Sequence, residues 1–330
     1  MTEADNRSRW DGRRGRHEAW FVTLSRPDGR GGYWIRYTLR APIAGPPESR
    51  LWFARFDRDH PSRTFGLNGL PPGAGSDIQP GAVPLLWGHA ACEAGAARGD
   101  LAGQGHLVRW DLRWVTGQES FRVLPPPFYR GGVAPTRPYS PNPDARISGV
   151  IDVDGEGVEL DGWPGQQGHL EGRRHAERWA WASCAAFGDG TGYAVQALSA
   201  QGRRRPFRTP LVTFGGVRVD GRWVRLRGAG RGRSWSLGSW RLQLRSQSYR
   251  LEGEIRADRS HLIQARYLDP DDTPRWCHNS EIASSRFLVW ERRAGGWQEL
   301  AELVSDGTTH AEWAGRTPAP GSFSRHAEVA

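Results

Sequence analysis

The sequence predicts an all-β protein, built of barrels or sandwiches. Three observations carry this. Short runs of Trp, Val, Tyr, Phe and Thr, which suit a pleated half-buried surface, recur along the 330 residues. Asp-Gly, the dipeptide that best fits a tight hairpin turn, stands at 28–29, 154–155, 189–190, 220–221 and 306–307. Helical periodicity is scarce: the best stretch, residues 90–97, is short and broken by Gly95.

In chain order, residues 1–16 read as a disordered Arg-rich tail. Strands are expected at 20–24, 33–39, 51–56, 106–114 and 150–153. Two Pro/Gly-rich stretches, 68–84 and 125–143, read as long loops. Val217-Arg218-Val219, Asp220-Gly221 and Arg222-Trp223-Val224 spell out a hairpin. A weak internal echo links residues 12–20 (GRRGRHEAW) to 172–179 (GRRHAERW), about half the chain apart, as a duplicated barrel would have it.

Composition excludes several chemistries. All 45 basic residues are Arg, so no Schiff-base amine and no phosphate-loop lysine exists. The net charge of +9 is spread over short runs such as 203–205 and 292–293, with no nucleic-acid-binding motif around them. No specific nucleic-acid partner is expected; peripheral association with an anionic membrane is the secondary expectation. No run approaches the roughly 20 apolar residues of a membrane helix. The polar N-terminus has no apolar core of a secretory signal, and Cys92, Cys184 and Cys277 are too few and too scattered for a disulfide framework, so the expected location is cytoplasmic.

Seventeen tryptophans are more than ordinary packing asks for. Barrel interiors account for most; an aromatic cavity is the functional alternative, drawn to Trp163, Trp179 and Trp181. In an extended strand, His175, Glu177, Trp179 and Trp181 share one face, which sets a titratable pair beside two indoles. If that face looks inward, Glu177 is a desolvated acid in an aromatic cavity; if outward, the row is a surface ladder. The run 152–157 imitates a calcium loop, but Trp163 stands at its twelfth position, so a hairpin turn is expected. Cys277, His278, Asn279 and Glu281 form a chemically dense run. No accepted ligand spacing surrounds it, so no metal is expected there.

Residues 168–190, with His175-Ala-Glu177, Trp179-Ala-Trp181 and Asp189-Gly190, resemble the crossover segment of the tocopherol cyclase and carotenoid 1,2-hydratase superfamily. Residues 239–244 and 249–253 resemble opening strands of that family's second barrel, and 309–316 its closing strand. The resemblance implies two antiparallel lipocalin-like barrels in tandem, here divided as 17–205, including the crossover, and 206–330. It implies a cavity within or between them, and acid–base chemistry on an isoprenoid or polyene without metal or redox cofactor. On the matched positions His175 and Glu177 are the catalytic candidates. The ligand candidates are Trp163, Trp179, Trp181, Cys277, His278, Asn279 and Glu281. The expected partner is a hydrophobic small molecule, and the expected function a cofactor-independent cyclase, hydratase or isomerase. The alternative is a non-catalytic lipocalin-like carrier of a hydrophobic ligand.

Overall fold

The computed structural model describes residues 2–70, 85–87, 90–116, 119–130, 133–188, 192–204, 207–228, 234–320 and 326–327. Each strand expected from composition is present: Arg16–Ser25, Gly31–Ala41, Glu48–Asp57, His106–Trp114 and Thr136–Val153. The Asp154-Gly155 and Asp220-Gly221 turns carry positive φ at both central positions, 59° and 85° in one, 49° and 76° in the other. That conformation matches strand twist and suits Asp and Gly.

The strands form two antiparallel bodies. The first is a ten-stranded sheet that ends with Glu156–Gly172 in the chain. Its Arg16–Ser25 strand pairs with both Gly31–Ala41 and Glu156–Gly172. The sheet curls around its core until its edge strand Phe65–Gly69 meets Ala96–Gly103: a Cβ on Gly69 would stand 2.8 Å from Leu101 Cδ1. The second is an eight-stranded antiparallel barrel, closed because Tyr249–Arg256 pairs with Ser239–Arg245 on one side and Pro274–Arg293 on the other. Its first and last strands, Arg178–Cys184 and Gly296–Gly315, pair with each other. No helix among the described residues is long and apolar enough to cross a membrane.

Several expectations need correction. Arg178–Cys184 and Ala194–Gln201 pair within the second barrel, so the division falls at 173–177, not at 205. Strand pairing decides it, because both segments hydrogen-bond forward in the chain. Ser239–Arg245 and Tyr249–Arg256 therefore lie in the middle of the second barrel rather than at its opening. Residues 4–16 are docked, not frayed: Asp5, Asn6 and Trp10 are buried, and the Trp20 indole donates to Asn6 O at 2.9 Å. Residues 90–97 make a hairpin, with Gly95 at φ 94°. Most of the 125–143 stretch is ordered as a short 3-10 turn, Pro126–Tyr129, and the start of Thr136–Val153. Asp306-Gly307 is no hairpin; it bulges within Gly296–Gly315, where backbone meets backbone. A Cβ on Gly307 would stand 2.1 Å from Gly29 O, so the two barrels touch there without side chains. Asp189-Gly190, and residues 71–84 of the first loop, lie outside the described residues.

Candidate active site in the seam between the barrels

Strand alternation builds the site. In Arg16–Ser25, Trp20, Val22 and Leu24 fill the first barrel, which turns His17 and Phe21 the other way. In Arg178–Cys184, Ala180, Ala182 and Cys184 fill the second, which turns out Trp179 and Trp181. The outward faces meet in a buried seam. Phe21 and Trp181 pack edge-on with centroids 5.4 Å apart, and Trp34 and Trp52 of the first barrel join Trp179 and Tyr267 of the second in one apolar cluster. Strands buried on both faces read as unbroken apolar runs, as 19–22 and 179–182 do.

At one end of the seam stand Glu281, His310 and Glu312. A bulge between Ser280 and Ala283 interrupts the register beside Glu281. His310 Nδ1 lies 2.6 Å from Glu281 Oε1, and Nε2 lies 3.6 Å from Glu312 Oε1. The Trp179 indole donates to Glu312 Oε2 at 3.1 Å, and the Trp181 ring meets His310 edge-on at 4.9 Å. Glu281 Oε2 has no hydrogen bond. Burial pushes the Glu281 carboxyl up to about 7, against the pull of His310. Burial disfavours the His310 imidazolium, yet Glu281 and Glu312 outweigh it and lift His310 to about 10. Burial also opposes the Glu312 carboxylate, but the neighbouring His310 and the hydrogen bond from Trp179 prevail and hold it low. Near neutral pH an imidazolium thus sits between two carboxyl groups, and Glu281 is the one that exchanges its proton.

At the other end His175 takes the central place, in the link just ahead of Arg178–Cys184. Its Nδ1 lies 2.7 Å from Asp269 Oδ1, and its backbone N–H donates to the same oxygen at 2.8 Å. Arg275 reaches Asp269 Oδ2 at 2.9 Å. Burial acts against the Asp269 carboxylate, but His175 and Arg275 hold it down to about 2. The His175 ring stacks on His17 at 4.4 Å and on Trp179 at 5.5 Å. The echoed segments thus meet, each at the first strand of its own barrel. Cavities of about 50 Å³ and about 20 Å³ lie at the two ends, beside His175 and beside Glu281.

Among the sequence-predicted residues, His175, Trp179, Trp181, Cys277, Asn279 and Glu281 face the seam. Cys277 Sγ donates to Asn279 Oδ1 at 2.9 Å, and burial pushes its thiol up. His278 faces away, against Trp313 O at 3.1 Å and Gln264 Oε1 at 2.9 Å, because sequence neighbours in a strand point oppositely. Trp163 lies in the core of the first barrel, stacked on Tyr33 at 6.2 Å, away from the other two indoles. Glu177 does not complete the row. Strand geometry starts at Arg178, so its carboxylate turns to Arg316 at 3.2 Å and Arg275 at 3.8 Å instead of an indole wall. Arg36, Asp269, His310 and Glu312 were missed. Their signal was available: His310 and Glu312 alternate within 309–316, and Arg36 interrupts an apolar strand.

Among the described residues, His17, His175 and Asp269 form the one group of three or more His, Cys, Asp or Glu whose ligating atoms all lie within 4.8 Å of one another. Stacked imidazoles point their lone pairs in parallel rather than at a common centre, and Arg275 already faces Asp269. The trio fits a cation poorly.

Two antiparallel barrels sharing a buried seam with paired histidines and carboxylates define the class of protein. A family profile described as tocopherol cyclase-like matches residues 143–315. The chain belongs to that family. The uncharacterized protein Rv0493c of Mycobacterium tuberculosis is 30% identical over 316 residues, spanning 92% of this chain and 88% of its own. Among solved structures, CghA with Sch210972 superposes with a TM-score of 0.60 at 11% identity, covering 91% of this chain and 88% of that one. Kievitone hydratase of Nectria haematococca gives 0.55 at 12%, covering 96% and 92%. A protein of Nitrosomonas europaea assigned as AttH gives 0.54 at 15%, covering 92% and 93%. At such identities these three show the shared fold.

Proposed function

We propose that the seam is the active site of a cofactor-independent acid–base enzyme, a cyclase, hydratase or isomerase acting on a hydrophobic isoprenoid- or polyene-like molecule. The observation that carries this is the Glu281–His310–Glu312 chain: a buried carboxyl that titrates near 7, bordered by Trp179 and Trp181. In this reading Glu281 is the general acid, taking the role the sequence suggested for Glu177. It gives its proton to an alkene carbon and a carbocation develops. The Trp179 and Trp181 faces stabilise the cation. The cation is discharged by water, by a hydroxyl of the substrate or by loss of a neighbouring C–H proton; the proton released there restores Glu281, which His310 and Glu312 hold in place. Membership in a cyclase-like family and the hydratase named among the fold neighbours support the reaction class.

The 50 Å³ and 20 Å³ cavities are each far smaller than a polyene, so substrate entry requires side chains or barrels to part along the seam. The test is incubation with an acyclic carotenoid and with a prenylated quinol in deuterated water. Mass spectrometry then reads deuterium at carbon. Label with the wild-type protein and none with Glu281→Gln supports the enzyme. Tight binding without label supports the carrier.

A further inference from the structure

We propose that the cavity at the His175 end of the seam binds an oxyanion, the carboxylate of an amphipathic acid whose apolar body lies along Trp179 and Trp181. This deepens the reading of the seam as a ligand site and rests on it, but not on proton transfer by Glu281.

The case starts with Arg36. Alternation in Gly31–Ala41 sends Ile35 and Tyr37 into the first core and Arg36 into the seam, where it is 4% exposed. A guanidinium carries five donors and keeps its charge, so burial without an anion is costly. Among the described residues no carboxylate pairs with Arg36. Its Nε has no hydrogen bond, and its group lies over the Tyr267 ring at 4.3 Å. Glu312 feels this charge through space, but its oxygens serve His310 and Trp179.

The second observation is convergence. The same 50 Å³ cavity is lined by Arg36, His17 and His175, and the buried His17 Nδ1 and His175 Nε2 also lack partners. Three basic side chains, each with a nitrogen that has no hydrogen bond, therefore line a space about the size of one carboxylate group. The acids at its edge are engaged: Glu18 accepts from the Trp10 amide and bonds His169, and Glu48 pairs with Arg40. Trp52 and Tyr267 supply apolar walls leading toward Trp179. Burial and the neighbouring Arg36 and His175 push His17 down, as expected where positive charge lacks an anion.

The test is a tryptophan-fluorescence titration with dodecanoate, dodecyl phosphate and dodecanol. Wild-type protein is expected to bind dodecanoate about tenfold more tightly than dodecanol. Arg36→Gln should bring the ratio of dodecanoate to dodecanol affinity down to about one. Should Arg36→Gln fail to fold, Arg36→Lys is expected to keep only part of the preference, and an unchanged preference there overturns the proposal. Dodecanol and dodecanoate binding alike would remove the oxyanion site and leave the apolar seam. No binding of any amphiphile would remove both. A preference for dodecyl phosphate, or one equivalent of zinc retained at His17 and His175 after chelator washing, would also overturn the carboxylate assignment.

Discussion

The two ends of the seam each hold a histidine against a carboxylate, at 2.7 Å for His175 and Asp269 and 2.6 Å for His310 and Glu281. Both pairs are buried, yet their carboxyl groups are driven in opposite directions, to about 2 for Asp269 and about 7 for Glu281. The difference lies beyond the pair. Asp269 also receives a backbone N–H and the Arg275 guanidinium. Glu281 has His310 alone, with no guanidinium in ion-pair reach among the described residues, and stands near a second carboxylate, Glu312. One end is a fixed negative charge that ties the link between the barrels to the second barrel; the other is a proton store. The distance between a histidine and a carboxylate does not by itself identify an acid.

Breaking the proton store has the largest expected effect. Glu281→Gln should lower deuterium incorporation by about 10² to 10⁴-fold, the usual range for a general acid, while the melting curve stays close to wild type. Breaking the fixed charge should do the reverse. Asp269→Asn strands Arg275 and His175 without their anion and should cost about 3–5 kcal/mol in denaturant unfolding.

Titration sharpens the same contrast. His310 binds its proton more tightly in the folded chain, so its stabilising contribution is complete below 6.5 and lost as pH rises through about 10. Glu281 likewise holds a proton in the fold that the unfolded chain gives up above 4.5, so stability also falls as pH rises through about 7. Asp269 works the other way, losing its contribution as pH falls from 3.8 through about 2. Denaturant midpoints should therefore decline from pH 6 to pH 10 in the wild type. Glu281→Gln should flatten the lower part of that slope. The smallest effect is expected at Glu177. Its Arg316 partner is 44% exposed, so Glu177→Gln should change stability by about 1 kcal/mol or less and leave the pH dependence of turnover unchanged.

The all-β architecture was legible because its signals are local. Asp154-Gly155 and Asp220-Gly221 encode their turns in two residues. Trp179 and Trp181 announce a shared face through period two, and the structure turns that face toward the other barrel rather than into its own. The site was legible only in part because its groups come from distant strands. Glu281 was singled out, but its partner His310 arrives from the next strand, and a bulge at 280–283 sets the offset between them. Glu177 looked equivalent to His175 in the alternation; both precede the strand that starts at Arg178, and partners distant in sequence separate them, Asp269 for His175 and Arg316 for Glu177. Asp306-Gly307 carries the hairpin signal, yet close packing against Gly29 uses the same conformational freedom for a bulge.

The account's central claim is that Glu281 holds an exchangeable proton near neutrality while Asp269 does not. Infrared difference spectroscopy of the carboxyl C=O stretch, wild type minus Glu281→Gln across pH 4 to 9, measures this directly. The account predicts a protonated carboxyl band, absent from the variant, that disappears with a midpoint near 7. A midpoint between 4 and 5, the ordinary range of a solvated glutamate, would contradict it.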